Sequence, residues 1–238
     1  MQYTGGKNFN GVYQTIINLI PPHRTYIETH LGSGAILRLK RKADNNIGLD
    51  ICENTTSRFP EQDSTQIYTQ DAHEFLREYV FAGNEFVYAD PPYLISSRKS
   101  KSLYKYEYSN AQHLELLTLL LELPCDVMIS GYWSELYAEK LDGWSCQTYS
   151  TRDRSGATVT EYLWMNYPIP ELLHDYQYLG ENFRERERIK RKHRRLKDKI
   201  LGLPIYEKNF LISELIQYRA TRSHVFSDTT ESTLEGGR

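Results

Sequence analysis

Cysteine is scarce in this chain: Cys52, Cys125 and Cys146 are the only three among 238 residues, and they stand far apart. That spacing excludes a disulfide scaffold and the close cysteine pairs of a structural zinc site, and it fits a reducing cytoplasm. The seven histidines are just as scattered, so no metal site is expected. Long apolar runs are missing as well. The longest, Leu114 to Leu123, is broken by glutamates and too short to cross a bilayer, and the N-terminus does not read as a secretory leader. A soluble intracellular protein is the expectation. Net charge is small, formally −2, so any polyanion partner must be met by a local basic region. No internal repeat is present, which excludes a solenoid.

What is present is enough apolar residue for a core, and 238 residues suit one α/β domain with a small addition. The most telling stretch is Glu85-Phe86-Val87-Tyr88-Ala89 followed directly by Asp90-Pro91-Pro92-Tyr93. The first five residues read as a buried strand. The next four put a carboxylate, a rigid corner and an aromatic ring at its carboxyl end, where open α/β sheets bind ligands. An exocyclic amino group on a base is a poor nucleophile because its lone pair is delocalised into the ring. An acceptor aimed at each N–H returns density to nitrogen. The carboxylate of Asp90 and the carbonyl of Pro91 can be those acceptors, fixed in advance by two prolines with φ near −65°. Tyr93 would offer a π-face to a base taken out of its stack. The bland alternative is a turn after a strand.

Three further strand ends carry carboxylates in series. Thr25-Tyr26-Ile27-Glu28 leads through Thr29-His30-Leu31 into the turn Gly32-Ser33-Gly34 and an apolar helix start. Glycines there allow close backbone approach to a ligand. Asn45 to Asp50 reads as a second strand whose acidic end can hold two ribose hydroxyls, and Gln66 to Thr69 as a third leading to Asp71. Each carboxylate alone is an ordinary solvated loop residue; four in order are a pattern.

These residues, with Tyr3-Thr4-Gly5-Gly6-Lys7, Ile129-Ser130-Gly131-Tyr132 and Glu161-Tyr162-Leu163-Trp164-Met165-Asn166-Tyr167, make the chain resemble the Dam-type N6-adenine DNA methyltransferases, particularly short phage and prophage forms. The likeness runs from Tyr3 to Tyr167. It implies a Rossmann-like methyltransferase sheet with helices on both faces, S-adenosylmethionine as donor and adenine in DNA as acceptor. By position, Tyr3, Gly5, Gly6 and Lys7 would lie near the methionine carboxylate. Glu28, His30, Gly32, Ser33 and Gly34 would line the methionine end, Asp50 the ribose and Asp71 the cofactor adenine. Asp90, Pro91, Pro92 and Tyr93 would hold the target base, and Lys105, Tyr106 and Tyr108 would belong to a loop over the target. Thr29 and His30 stand where the family often has proline and phenylalanine; an imidazole can still stack on a ligand, and it is also commonly just a packed side chain.

The local basic region is Phe183 to Ile200, dense in arginine and lysine. As a helix it would present Arg184, Arg188, Lys192 and Arg195 to phosphates, giving salt-sensitive affinity, while Ile189, Leu196 and Ile200 form a thin packing face. Its alternative is a solvated helix with Glu–Arg pairs in the first turns. Gly202 would end it and Pro204 begin a helix through Leu215. Residues 1–168 thus read as the core, 169–218 as a basic helical extension and 219–238 as a disordered tail. Separate recognition domains common before Asp-Pro-Pro-Tyr have no room here. Specificity is therefore expected to be relaxed, or borrowed from a partner or a second subunit. RNA as substrate, or a non-catalytic nucleic-acid-binding subunit, are the competing functional classes.

Overall fold

The computed structural model of the protein describes residues 6–60, 64–98, 104–152 and 156–231, with side chains described as far as residue 219. It divides into two compact units, Met1–Phe183 and Arg184–Arg238.

The first unit is built on a seven-stranded sheet: β1 (Thr25–Glu28), β2 (Asn45–Asp50), β3 (Thr65–Thr69), β4 (Glu85–Ala89), β5 (Asp126–Gly131), β6 (Ser145–Arg152) and β7 (Thr158–Met165). Their order is β3-β2-β1-β4-β5-β7-β6. All pairings are parallel except those of β7, which runs antiparallel to both β5 and β6. This is the Rossmann-like methyltransferase sheet. Its central strands β1 and β4 are buried along their whole length, as continuous apolar runs in a doubly covered parallel sheet must be. The outer strand β6 alternates between half-buried and exposed residues, the mark of an edge.

Alternation across the sheet divides the core in two. On one face Tyr26, Phe86, Tyr88, Met128 and Leu163 pack with Ile16 and Ile17 of α1 (Val12–Ile17) and Ile36 and Leu37 of α2 (Ala35–Leu39). On the other, Ile27, Val87, Ala89, Val127 and Ile129 meet α4 (Ala72–Glu78) and α5 (Asn110–Leu121) through Phe75, Leu76, Leu116, Leu117 and Leu120; Tyr137 of α6 (Glu135–Lys140) joins them. The short α3 (Glu53–Thr56) follows β2. The start of α5 follows from sequence: Ser109 accepts from the Gln112 N–H while the Gln112 side chain accepts from the Ser109 N–H, a reciprocal cap.

The first unit continues through Phe183, beyond the expected end at residue 168. The segment between, expected to belong to the helical extension, has almost no regular structure. Backbone-directed hydrogen bonds hold it instead. His174 N donates to Ile20 O (2.9 Å), Arg41 N donates to Asp175 Oδ2 (2.8 Å), and Tyr178 OH donates to Leu39 O (3.0 Å).

The second unit holds α7 (Phe183–Leu201) and α8 (Ile205–Glu231), separated at Gly202. Helix α8 runs past Tyr218, through much of the stretch whose composition reads as disordered; residues 232–238 lie outside the described residues. Among the described residues no helix is long and apolar enough to cross a membrane, and no group of three or more His, Cys, Asp or Glu is arranged for a metal.

Candidate active site

Strand order reverses between β1 and β4, so the connections leaving their carboxyl ends diverge and open a crevice. A cavity of about 370 Å³ lies there. Of the residues singled out in sequence, Gly6, Lys7, Glu28, His30, Gly32, Ser33, Asp50, Asp90, Pro92, Lys105, Tyr106 and Tyr108 line it. Tyr3 and Gly5 lie outside the described residues. Gly34, Asp71, Pro91 and Tyr93 are not on its wall.

Asp90 is held by two partners on one oxygen. Ala89 pairs with Ile129, which sets Asp90 beside Ser130 of β5, and Ser130 Oγ donates to Asp90 Oδ1 at 2.6 Å. Lys7 Nζ lies 2.9 Å from the same oxygen. The ammonium also donates to Glu161 Oε2 (3.1 Å) and Tyr93 Oη (2.5 Å). Tyr93 OH and Tyr149 OH donate in turn to Glu161 Oε2, at 2.7 and 2.5 Å. Burial raises Asp90 above the usual carboxylate range and Glu161 pushes the same way, with Lys7 and Ser130 opposing. Burial disfavours the Lys7 ammonium, but Asp90 and Glu161 outweigh it and raise its pKa well above the lysine value. Glu161, also buried, is held below its ordinary value by Lys7 and the two tyrosines.

Two expectations change here. Lys7 meets protein carboxylates, so its charge is already balanced without a ligand. Tyr93 is only 5% exposed, with its hydroxyl tied down, Tyr132 edge-on at 4.7 Å and the Lys7 ammonium 4.9 Å from its ring centre. Its ring is packing; the tyrosines on the cavity wall are Tyr104, Tyr106 and Tyr108, and of these Tyr104 interacts with Asp90.

At the other end, the glycine turn is tied to β2 by Asp50. Its Oδ2 accepts from Gly32 N (3.0 Å) and its Oδ1 from Cys52 N (2.9 Å), leaving a further lone pair on each oxygen for ligand hydroxyls. Burial lifts Asp50 above its usual range, against these two hydrogen bonds. Gly34 begins α2 in the left-handed region, φ 59°, and a Cβ there would sit 2.5 Å from the Phe59 ring, so this glycine serves the turn and its packing. Glu28 is turned toward α2: its Oε2 accepts from Leu37 N and Tyr26 OH, both at 2.8 Å. It thereby satisfies an open N–H in the first turn of a helix whose own N-cap is a glycine. Burial pushes its pKa up to about 8. Asp71 caps α4, its Oδ1 accepting from His73 N (2.8 Å), Glu74 N (3.4 Å) and His73 Nδ1 (3.0 Å). Burial raises Asp71, but these bonds outweigh it and hold it low. Its neighbour Ala72 is the one that reaches the cavity. His30 bonds through Nε2 to Tyr108 OH (3.0 Å), and burial drives its pKa down to about 3, so the ring is neutral.

Residues 50–147 match the D12 class N6 adenine-specific DNA methyltransferase family. The match spans the chain from Asp50 to β6 and includes Asp90-Pro91-Pro92-Tyr93. No curated protein matches the chain. Several solved structures are similar to the chain at low identity. An rRNA methylase from Streptococcus thermophilus is 15% identical, covering 64% of this chain and 93% of that one, with a TM-score of 0.44. A dimethyladenosine transferase from Plasmodium falciparum is 15% identical over 64% and 60%, TM-score 0.40. Magnesium protoporphyrin IX methyltransferase from Synechocystis, with bound SAM, is 13% identical over 65% and 75%, TM-score 0.42.

Sequence reasoning passed over Ser130, Tyr149 and Glu161 as site residues. Glu161 carried a usable signal. It shares strand parity with Leu163 and Met165 of the core, and an acid on a buried face needs partners.

In the second unit, Arg188, Arg191, Lys192, Arg195, Leu196 and Lys199 share one face of α7 and line a shallow cleft of about 480 Å³. Glu185 and Glu187 pair with Arg188 and Lys190 (3.1 and 3.7 Å), as the solvated-helix alternative expects of the first turns. Beyond them Asp198 is the sole acid as far as Leu201. Leu196, expected on the packing face, is 53% exposed.

Proposed function

We propose that this methyltransferase acts on the N6 amino group of adenine in DNA. The methyl donor is S-adenosylmethionine, which supplies an activated methyl group on sulfur. The site fits it: a cavity within the range of small-molecule pockets, a glycine turn at its floor, Asp50 with lone pairs to spare, and the exposed apolar Ile51 beside it for a purine face. The observation that carries the proposal is that Asp50 and Asp90 face one cavity, so donor and acceptor ends meet across it.

With Oδ1 of Asp90 taken by Lys7 and Ser130, Oδ2 is the oxygen left for an N–H of the base. That acceptor sharpens the nitrogen lone pair toward the methyl group, and the proton shed by the methylated nitrogen passes to Asp90 or water. Rate then comes mainly from alignment. Tyr104 and Tyr106 supply rings for the unstacked base, in the part Tyr93 does not fill. Phosphates are met by the basic face of α7, which gives affinity without sequence reading, so specificity is relaxed or supplied by a partner or second copy.

The test incubates the purified chain and its Asp90→Ala variant with labelled donor and duplex DNA, single-stranded DNA or RNA, then identifies modified nucleosides by mass spectrometry. N6-methyladenine in DNA, lost in the variant, is the expected result. Methylation confined to RNA would move the substrate class, and no transfer to any substrate would leave a binding subunit.

A further inference from the structure

Lys7 has three N–H donors and three partners, Asp90 Oδ1, Glu161 Oε2 and Tyr93 Oη, so its ammonium is fully committed. Glu161 Oε2 gathers three donors from three places: Lys7 in the N-terminal segment, Tyr93 in the corner after β4, and Tyr149 across the β6–β7 hairpin. One buried oxygen therefore ties the catalytic corner to the far edge of the sheet. Lys7 and Glu161 are 5% and 8% exposed. A buried ion cluster is a poor source of stability, since apolar side chains of similar volume commonly do as well or better. What such a cluster does supply is geometry.

We infer that Lys7, Glu161 and Tyr149 are positioning residues for the transfer: Glu161 and Tyr149 hold the Lys7 ammonium on one oxygen of Asp90, so that the other oxygen is presented to the amino group of the base. This rests on the proposed reaction at Asp90. Oδ1 receives Lys7 and Ser130, which fills its two lone pairs, and the carboxylate cannot rotate without breaking both bonds. Glu161 keeps the ammonium shared between two carboxylates, so Asp90 is oriented by Lys7 without being wholly neutralised by it.

The charges on Asp90 act in opposite senses, which makes the arrangement testable. The groups facing it are Lys7 from the N-terminal segment, Tyr26 and Glu28 from β1, Tyr88 and Tyr93 from β4 and its corner, Tyr104 from the following loop, Tyr137 from α6 and Glu161 from β7. Titration of the Asp90 side-chain carbon is followed by ¹³C NMR in the full, donor-free chain, with its signal assigned by loss in Asp90→Asn. Glu161→Gln should move that titration to lower pH, because a repelling charge is gone while an acceptor for Lys7 remains. Lys7→Gln should move it to higher pH. On the best nucleic-acid substrate, Glu161→Gln and Lys7→Gln should lower kcat by on the order of tenfold to a hundredfold, as misplacement of a reacting group does, while the KM for S-adenosylmethionine changes by less than about threefold. Tyr149→Phe, which removes a single hydroxyl, should lower kcat less and leave the fold intact.

An Asp90 titration unmoved in both charge variants overturns the inference, as does wild-type kcat in Glu161→Gln. A raised donor KM with kcat intact in Lys7→Gln also overturns it, returning that lysine to the donor's carboxylate. Absence of methyl transfer by the wild-type chain would sink the proposed reaction instead, with the NMR titration still judging the network.

Discussion

Glu28 offers a direct test of how this sheet tolerates a carboxyl group in its core. It is 3% exposed, accepts from Leu37 N and Tyr26 OH, and has its pKa pushed up to about 8 by burial, against 4.5 for an ordinary glutamate. A raised folded-state pKa means the native protein holds a proton that the unfolded chain has released. The stabilisation is complete below the unfolded value and declines as pH rises, until it is lost on passing the folded value near 8. Each pH unit inside that window is worth about 1.4 kcal/mol, so between roughly pH 5.5 and pH 7.5 this one group removes about 3 kcal/mol. Glu28→Gln keeps an oxygen for Leu37 N and Tyr26 OH but has no proton to lose. Urea denaturation of wild type and variant should be run at several pH values in that range. The difference reports Glu28 together with its charge coupling to Lys40 and Lys42, while the shifted histidines and Asp50 titrate alike in both. The variant should gain on the wild type by about 3 kcal/mol across the interval. Parallel stability curves would refute a protonated, buried Glu28.

Asp71→Ala should cost about 1 kcal/mol in thermal or chemical unfolding, the usual loss of a helix cap, because Asp71 closes the N-terminus of α4. A fully preserved stability with a large loss of donor affinity would instead return Asp71 to the cofactor. Gly34→Ala should destabilise by about 1–3 kcal/mol, combining a left-handed φ of 59° with a methyl forced against Phe59; an unchanged Tm would show that α2 and Phe59 can yield. Replacing Arg188, Lys192 and Arg195 together by glutamine should weaken nucleic-acid binding uniformly across sequences and flatten its dependence on salt, each lost phosphate contact reducing the slope by about 1. An unchanged slope in a filter-binding titration would reduce α7 to a solvated helix.

Much of this protein was written in its sequence. The apolar run Glu85 to Ala89, the Gly-Ser-Gly turn and the capped helix after Ser109 are local signals, set by side-chain periodicity and backbone sterics, and each element formed where those signals lie. The carboxylates at strand ends were legible because parallel strands separated by helices carry their carboxyl ends to one edge of the sheet. What the sequence could not decide was the direction each side chain takes once there. Glu28, Asp71 and Tyr93 stand at the expected strand ends, yet their polar atoms are spent on a helix terminus, a helix cap and a lysine. The partners that redirect Tyr93 and hold Asp90 come from positions far along the chain: Lys7, Tyr149 and Glu161 meet only because β7 enters the sheet antiparallel beside β5. The stretch before α7 misled for a related reason. Its order comes from hydrogen bonds to Ile20, Leu39 and Arg41 and not from any periodicity of its own. Local pattern determines where strands and helices begin and end; the pairing of buried polar groups is settled by long-range packing, because an unpaired polar atom in the core must find whichever partner the fold brings to it.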